Sequence, residues 1–179
     1  MAIAAKFRNN GQVCISPNRF YIQESKKDEF VNKFIEKTKK LKIGNGMEQD
    51  VQLGPITTLK RLGEIEELVE ITKKEGAKVL IGGKRPSGFN KGYFYEPTVF
   101  DDVDDNFTIM KTEPFGPLVP MLSFKSFDEV VERANNNDLG LCSYIYTNSM
   151  EKAHKASELM ETGCVAVNTP TVAIAEAPF

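Results

Sequence analysis

The residue of this sequence best suited to chemistry is Cys14, within the stretch NNGQVCISPNRF. It follows a helix-ending Asn-Gly pair and has polar neighbours, so it does not fit the apolar periodicity of a core helix or strand. A thiolate is a nucleophile, and a nearby cation such as Arg8 or Lys6 would favour that form. From the residues alone, Cys14 could be a nucleophile, a metal ligand or a buried spacer.

A second candidate stretch is KTEPFGPLVP, at positions 111–120. Its prolines restrict the backbone and would present Glu113 and Phe115 rigidly. A glutamate can accept hydrogen bonds from a ribose diol, and a phenylalanine ring can lie against a flat ring. Taken alone, however, these features favour a stiff structural loop.

The other polar stretches indicate no further site, and no metal site is predicted. IGGKRPSG at 81–88 matches neither a dinucleotide fingerprint nor a P-loop, and its glycines are typical of a turn. DDVDD at 101–105 lacks the glycine and the final glutamate of a calcium loop. The single histidine, His154, lies in a polar helical pattern and is predicted to be exposed, which disfavours a multi-histidine metal site and a His-dependent triad.

The composition is that of an ordinary soluble α/β protein. The chain has 179 residues, of which 41% are hydrophobic and 27% charged, with a net charge of −2. This balance argues against nucleic acid or an anionic membrane as a partner. Three sparse cysteines indicate a reducing compartment, and there is neither a signal peptide nor a membrane-length apolar run, so a cytoplasmic location is predicted.

Hydrophobic periodicity predicts the elements that would position these residues. The first half contains the end of a helix, a strand, two amphipathic helices and a second strand, at 2–9, 19–23, 25–44, 58–77 and 78–83. The helix from 25 is predicted to begin with a capping box of Ser25 and Asp28. Residues 84–116 are predicted to be irregular.

The second half alternates strands and helices. Strands are predicted at 117–124, 141–146 and 164–168, and helices at 126–137, opened by Ser126 with Glu129, and 149–162, ended by Gly163. This alternation predicts parallel strands joined by right-handed crossovers. Ligands of such sheets bind at the carboxyl ends of the strands.

Five motifs together resemble the aldehyde dehydrogenase superfamily, in the same order as in that family. They are FRNNGQVC (7–14), GYFYEPTVF (92–100), EPFGP (113–117), GCVAVN (163–168) and APF (177–179). The resemblance spans the chain and implies an α/β, three-layer αβα catalytic domain with a mostly parallel sheet. Residues 1–179 would form the nucleophile-bearing domain, with the upstream cofactor-binding domain and the C-terminal tail absent.

The resemblance also implies roles for individual residues. Cys14 matches the catalytic cysteine, which attacks an aldehyde and holds the acyl group as a thioester. Glu113 matches the residue that binds the nicotinamide ribose, and Phe115 the residue beside the nicotinamide, so NAD or NADP is the implied cosubstrate. The oxyanion hole would combine the Cys14 N–H with an upstream asparagine, and the general-base glutamate would also lie upstream. The parent protein would be a homo-oligomer.

The segment KFRNNGQVC with the following NRF is most similar to the succinate-semialdehyde dehydrogenase branch. There Arg8 would match the arginine that binds the substrate carboxylate, for which a guanidinium is well suited. Two positions depart from that branch: Ala173 stands where it has a substrate-binding serine, and Ser16 where some members have a redox cysteine. The expected function is oxidation of an aldehyde, succinic semialdehyde, with the chain inactive alone. The alternatives are a different aldehyde, or an inactive fragment that keeps a fold and an interaction surface.

Overall fold

The computed structural model describes residues 1–175, so the APF motif at 177–179 lies outside the described residues. Six helices are found in this part of the chain: α1 (Ala2–Phe7), α2 (Lys27–Thr38), α3 (Leu59–Lys74), α4 (Thr108–Lys111), α5 (Phe127–Asn135) and α6 (Met150–Leu159). The strands are β1 (Phe20–Gln23), β2 (Lys78–Ile81), β3 (Thr98–Asp101), β4 (Leu118–Phe124), β5 (Cys142–Ile145) and β6 (Cys164–Val167). Short 3-10 turns occupy Arg8–Gly11 and Glu24–Lys26.

Four strands form the main sheet in the order β1-β4-β3-β2. The pairs β1–β4 and β3–β4 are parallel, whereas β2 runs antiparallel to β3. Strands β5 and β6 form a second, parallel pair. The predicted α/β fold with a mostly parallel sheet is therefore confirmed.

Both faces of the main sheet are covered by helices. On one face, Phe7 of α1 and Phe34 of α2 pack with Val99, Val119 and Met121 of the central strands. On the other face, α3 and α4 pack against the alternate side chains of the same strands: Leu62, Ile65, Leu68, Val69, Ile109, Met110, Phe100, Leu118 and Leu122. Each fully buried large side chain contributes about 2 kcal/mol to stability, so the strands at the centre of the sheet form a rigid platform.

The predicted succession of β4, α5, β5, α6 and β6 is present, but its strands do not form one sheet. Both edges of β4 are taken, by β1 on one side and β3 on the other. Strand β5 pairs instead with β6, from Cys142 opposite Cys164 to Ile145 opposite Val167. The crossover from β4 through α5 therefore leads out of the main sheet.

The prediction of an irregular 84–116 was wrong, because this segment contains β3 and α4. In β3 the residues Thr98, Val99 and Phe100 are all buried, so the strand shows no alternation of polar and apolar residues. Helix α4 has only four residues, which is too short for a helical period to be recognised.

Two of the predicted helix boundaries were also wrong. Helix α2 begins after a 3-10 turn, with Lys26 as N-cap and no side-chain capping bond, so Ser25 and Asp28 form no capping box. It ends at Thr38 rather than near residue 44. By contrast, Ser126 and Glu129 form the predicted capping box of α5.

His154 lies on α6 with its side chain 75% exposed, as predicted. No helix within residues 1–175 combines the length and the apolar composition that crossing a lipid bilayer requires.

Candidate active site

Cys14 lies on a tight turn between α1 and β1. The N–H of Ser16 donates to the carbonyl of Val13 at 2.9 Å, which places Cys14 and Ile15 at the centre of the turn. Cys14 is exposed. The structure thus presents this thiol at the surface, which excludes the buried-spacer interpretation.

The backbone before Cys14 adopts three consecutive left-handed conformations. Asn9, Asn10 and Gly11 have φ values of 47°, 57° and 75°. Asparagine and glycine tolerate this region better than other residues, because glycine lacks a Cβ and the asparagine side chain bonds locally. The Asn-Asn-Gly run therefore ends α1 and redirects the chain towards the cysteine.

Side chains of this run bond to the loop at 54–57. The Gln12 carboxamide oxygen accepts hydrogen bonds from the Thr57 N–H at 2.8 Å and the Thr57 hydroxyl at 2.7 Å. Buried Asn10 donates from Nδ2 to the carbonyl of Gly54 at 3.0 Å. The sequence analysis did not assign these positioning roles to Asn10 and Gln12. Their polar side chains, immediately before the cysteine, were the signal from which the roles could have been inferred.

The two candidate stretches meet at Gly11 and Gly116. A Cβ on Gly11 would lie 2.2 Å from the carbonyl oxygen of Gly116, so the two backbones are in direct contact. On its other side Gly116 packs on Ile65 of α3, where an added Cβ would lie 2.6 Å from the Ile65 Cδ1 atom. The structure therefore brings the segment of Cys14 against the loop of Glu113 and Phe115.

Within that loop, Glu113 is exposed and the following Pro114 is buried. Phe115 is partly buried and has a positive φ of 42°, which is uncommon for an aromatic residue. A residue keeps this strained conformation only where the surrounding structure holds it. Here the flanking residues Pro114 and Gly116 are buried and hold the backbone. The loop is therefore shaped by tertiary packing and leaves the carboxylate of Glu113 free to contact a ligand.

Arg8 is exposed and borders a groove between α1 and α2, which Phe30, Phe34 and Leu53 also line. Cys14 is not among the residues that line this groove. This groove therefore does not join Arg8 to Cys14.

The other two cysteines differ from Cys14 in their surroundings. Cys142 and Cys164 are partly buried and face each other across the β5–β6 pair. Burial raises the pKa of the Cys142 thiol, which disfavours its reactive thiolate form. Of the three, Cys14 is the accessible thiol.

Lys6 is the buried cationic residue beneath the Cys14 turn. Its side chain is fully buried, and Nζ donates a long hydrogen bond of 3.4 Å to Oδ1 of Asn18. Burial lowers the Lys6 pKa from its ordinary 10.5 to about 7. The sequence indicated a cation here but not its burial, which results from packing between α1 and the loop after Cys14.

We expect the free energy of unfolding to rise with pH between about 7 and 9, by at most about 1.4 kcal/mol per pH unit. The folded chain holds Lys6 at a pKa of about 7, against 10.5 when unfolded. In this window the unfolded chain binds more protons, so raising the pH favours the folded state. Urea unfolding at several pH values should show this rise, and Lys6→Met should remove it. An identical slope in Lys6→Met and in the surface control Lys40→Met would contradict the expectation.

Comparison with known proteins matches residues 1–179 to the Aldehyde dehydrogenase family. The chain is 40% identical over 178 residues to glutarate-semialdehyde dehydrogenase of Pseudomonas putida, covering 99% of the chain and 36% of that protein. It is 44% identical over 173 residues to aldehyde dehydrogenase 1A1 of Bos taurus, covering 97% of the chain and 34% of that protein.

The fold is also similar to that of a solved structure. The succinate-semialdehyde dehydrogenase of Burkholderia pseudomallei superposes with a TM-score of 0.95 at 36% identity, covering 99% of this chain and 36% of that one. The chain thus spans about a third of the length of the relatives it matches. A family match over the full sequence, together with this structural agreement, establishes that the chain belongs to the aldehyde dehydrogenase family.

Proposed function

We propose that residues 1–179 form the nucleophile-bearing catalytic domain of an NAD(P)+-dependent aldehyde dehydrogenase, with Cys14 as the nucleophile. The observation that supports this most directly is the placement of the exposed Cys14 on a defined turn. The adjoining Gly11 contacts Gly116, in the loop of Glu113 and Phe115. A nucleophile next to a cofactor loop is the arrangement that hydride transfer from a covalently held substrate requires.

In the proposed reaction the Cys14 thiolate attacks the aldehyde carbonyl carbon and forms a thiohemiacetal. Glu113 and Phe115 would hold the nicotinamide, which would supply the acceptor for the hydride that leaves that carbon. The loss of hydride leaves a thioester on Cys14, and water then releases the carboxylic acid and the free thiol. The Cys14 N–H makes no backbone hydrogen bond within residues 1–175, so it is available to donate to the oxygen that becomes negatively charged.

We further propose that Glu113 and Phe115 contact the nicotinamide end of NAD or NADP. The exposed Glu113 carboxylate forms no ion pair within the described residues, so it suits a ribose diol as a hydrogen-bond acceptor. The partly buried Phe115 offers a ring edge or face to the nicotinamide. The rest of the cofactor site belongs, on this proposal, to residues outside this chain, because the relatives are about three times as long.

For the substrate we propose an aldehyde with a distal carboxylate, of the succinic semialdehyde type, whose carboxylate binds Arg8. The similarity to semialdehyde dehydrogenases supports this class. The alternative is a different aldehyde, with Arg8 serving only to hold its turn. The 44% identity to aldehyde dehydrogenase 1A1 and the position of Arg8 on the α1–α2 groove favour that alternative.

Replacing Arg8 by methionine tests the substrate class in a full-length enzyme that carries residues 1–179. We expect kcat/KM for succinic semialdehyde to fall about 100-fold, the effect of losing a charge-assisted bidentate contact, while kcat/KM for butanal stays within threefold. Steady-state assays of nicotinamide reduction measure both values. An equal fall for both aldehydes would assign Arg8 to the turn alone. If the wild-type enzyme oxidised neither aldehyde, the proposed substrate class would be contradicted.

The cytoplasmic location and the homo-oligomeric parent stay predictions from the sequence.

A further inference from the structure

The turn that carries Cys14 is bonded to the rest of the protein at its far end. The Ser16 hydroxyl donates to the carbonyl of Lys6 at 3.0 Å, and Ser16 itself is buried. This contact joins the end of the turn to α1. It does not hold the centre of the turn, where Cys14 and Ile15 lie.

That second contact comes from β5, 129 residues further along the chain. The hydroxyl of Tyr144 donates to the carbonyl of Ile15 at 2.7 Å, and Ile15 directly follows Cys14. The same hydroxyl oxygen lies 3.5 Å from the Cys142 sulfur, which is within range of a weak S–H donor. The groups thus form an oriented chain, from the Cys142 thiol through the Tyr144 hydroxyl to the Ile15 carbonyl.

The environment keeps the Tyr144 hydroxyl in its donating form. Tyr144 is partly buried, and burial raises the pKa of its phenol further above neutrality. A carbonyl can only accept, so the hydroxyl hydrogen must point at Ile15. The contact is therefore a directional bond between the β5–β6 pair and the turn.

We propose that Tyr144 is a positioning residue for Cys14, whose hydroxyl holds the Ile15 carbonyl and so fixes the orientation of the turn and of its thiol. This inference rests on the proposed function for its consequence in catalysis. A nucleophile contributes fully only when it is held in attack geometry, and misplacement by about 1 Å costs up to about a hundredfold in rate. The hydrogen bond acts on the backbone beside the reacting sulfur rather than on the substrate.

The matched variants are Tyr144→Phe and Tyr146→Phe. Tyr146 directly follows β5 and is 48% exposed, so it controls for the loss of a tyrosine hydroxyl close to Tyr144 in the chain. In the purified 179-residue chain we expect hydrogen exchange at the Ser16 amide to become about tenfold faster in Tyr144→Phe, as expected for one lost hydrogen bond. Exchange in Tyr146→Phe should equal that of the wild type.

The kinetic measurement uses a full-length enzyme that carries residues 1–179. We expect Tyr144→Phe to lower kcat about tenfold while KM for the aldehyde stays within twofold, because orientation of the nucleophile acts on the chemical step. Unchanged exchange at Ser16, or faster exchange with unchanged kcat, would overturn the inference. If the wild-type enzyme were inactive, the proposed function would fail together with the kinetic role. The exchange ratio would still decide whether Tyr144 fixes the turn.

Discussion

A full-length enzyme carrying Cys14→Ala is expected to reduce NAD or NADP at least about a thousandfold more slowly than the wild type. Alanine cannot form the thiohemiacetal, and without it the hydride has no covalently held carbon from which to leave. The residual rate would then reflect only the binding and orientation of the aldehyde and the oxidised cofactor. The measurement is the initial rate of nicotinamide reduction with a saturating aldehyde.

Cys164→Ala is the matched control for this experiment. Cys164 is a partly buried thiol on β6, so its replacement removes one sulfur of similar size away from the exposed turn. Its kcat/KM should remain within about threefold of the wild type. Intact protein mass after brief exposure to the aldehyde and the oxidised cofactor gives a second readout, an acyl adduct that is absent in Cys14→Ala. Equal activity in Cys14→Ala and the wild type would exclude the proposed mechanism.

Gly11→Ala is expected to lower the free energy of unfolding of the chain by about 3 kcal/mol or more. Two costs add at this position. A residue with a Cβ is strained at a φ of +75°, and the new atom would lie 2.2 Å from the Gly116 carbonyl oxygen and 2.6 Å from its carbon. Neither backbone can move freely, because Gly116 packs on Ile65 and the segment before Cys14 bonds to the loop at 54–57.

Two other glycines separate these costs. Gly88 has a φ of +88° but open space around its Cα, so Gly88→Ala reports backbone strain alone and should cost about 1 kcal/mol. Gly63 lies in α3, where an added Cβ would meet no other segment of the described residues within 4 Å, so Gly63→Ala should stabilise the chain by up to about 1 kcal/mol. Urea unfolding of the three variants measures the differences. A cost at Gly11 no greater than that at Gly88 would show that the two loops separate without penalty.

The proposed catalytic cleft depends on the same contact. If Gly11→Ala folds, the segments of Cys14 and of Glu113 must have moved apart by at least the width of the overlap. Stability and activity would therefore fall together at Gly11. At Tyr144 we expect activity to fall with little loss of stability, because within residues 1–175 the hydroxyl bonds only to the turn and to Cys142.

The candidate site residues could be proposed without coordinates, because the sequence signals that indicate them are local. Cys14 stands outside any apolar period, and the prolines around Glu113 and Phe115 indicate a rigid loop. The helix start at Ser126 was equally readable, since a capping box needs only residues three apart. The same rule failed at Ser25, where a 3-10 turn takes the place of the capped first turn.

The sequence by itself determined the family and the α/β character of the chain and singled out Cys14 as the candidate nucleophile, because motifs and hydrophobic periods are written in neighbouring residues. Only the tertiary structure decided that β3 is a central strand and that Gly11 touches Gly116, more than a hundred residues away. It likewise decided that Lys6 is buried and that Tyr144 bonds beside Cys14. These features arise because segments that are distant in the sequence pack closely together. A local sequence pattern does not show which segments will meet, so it does not show which side chains become buried or bonded.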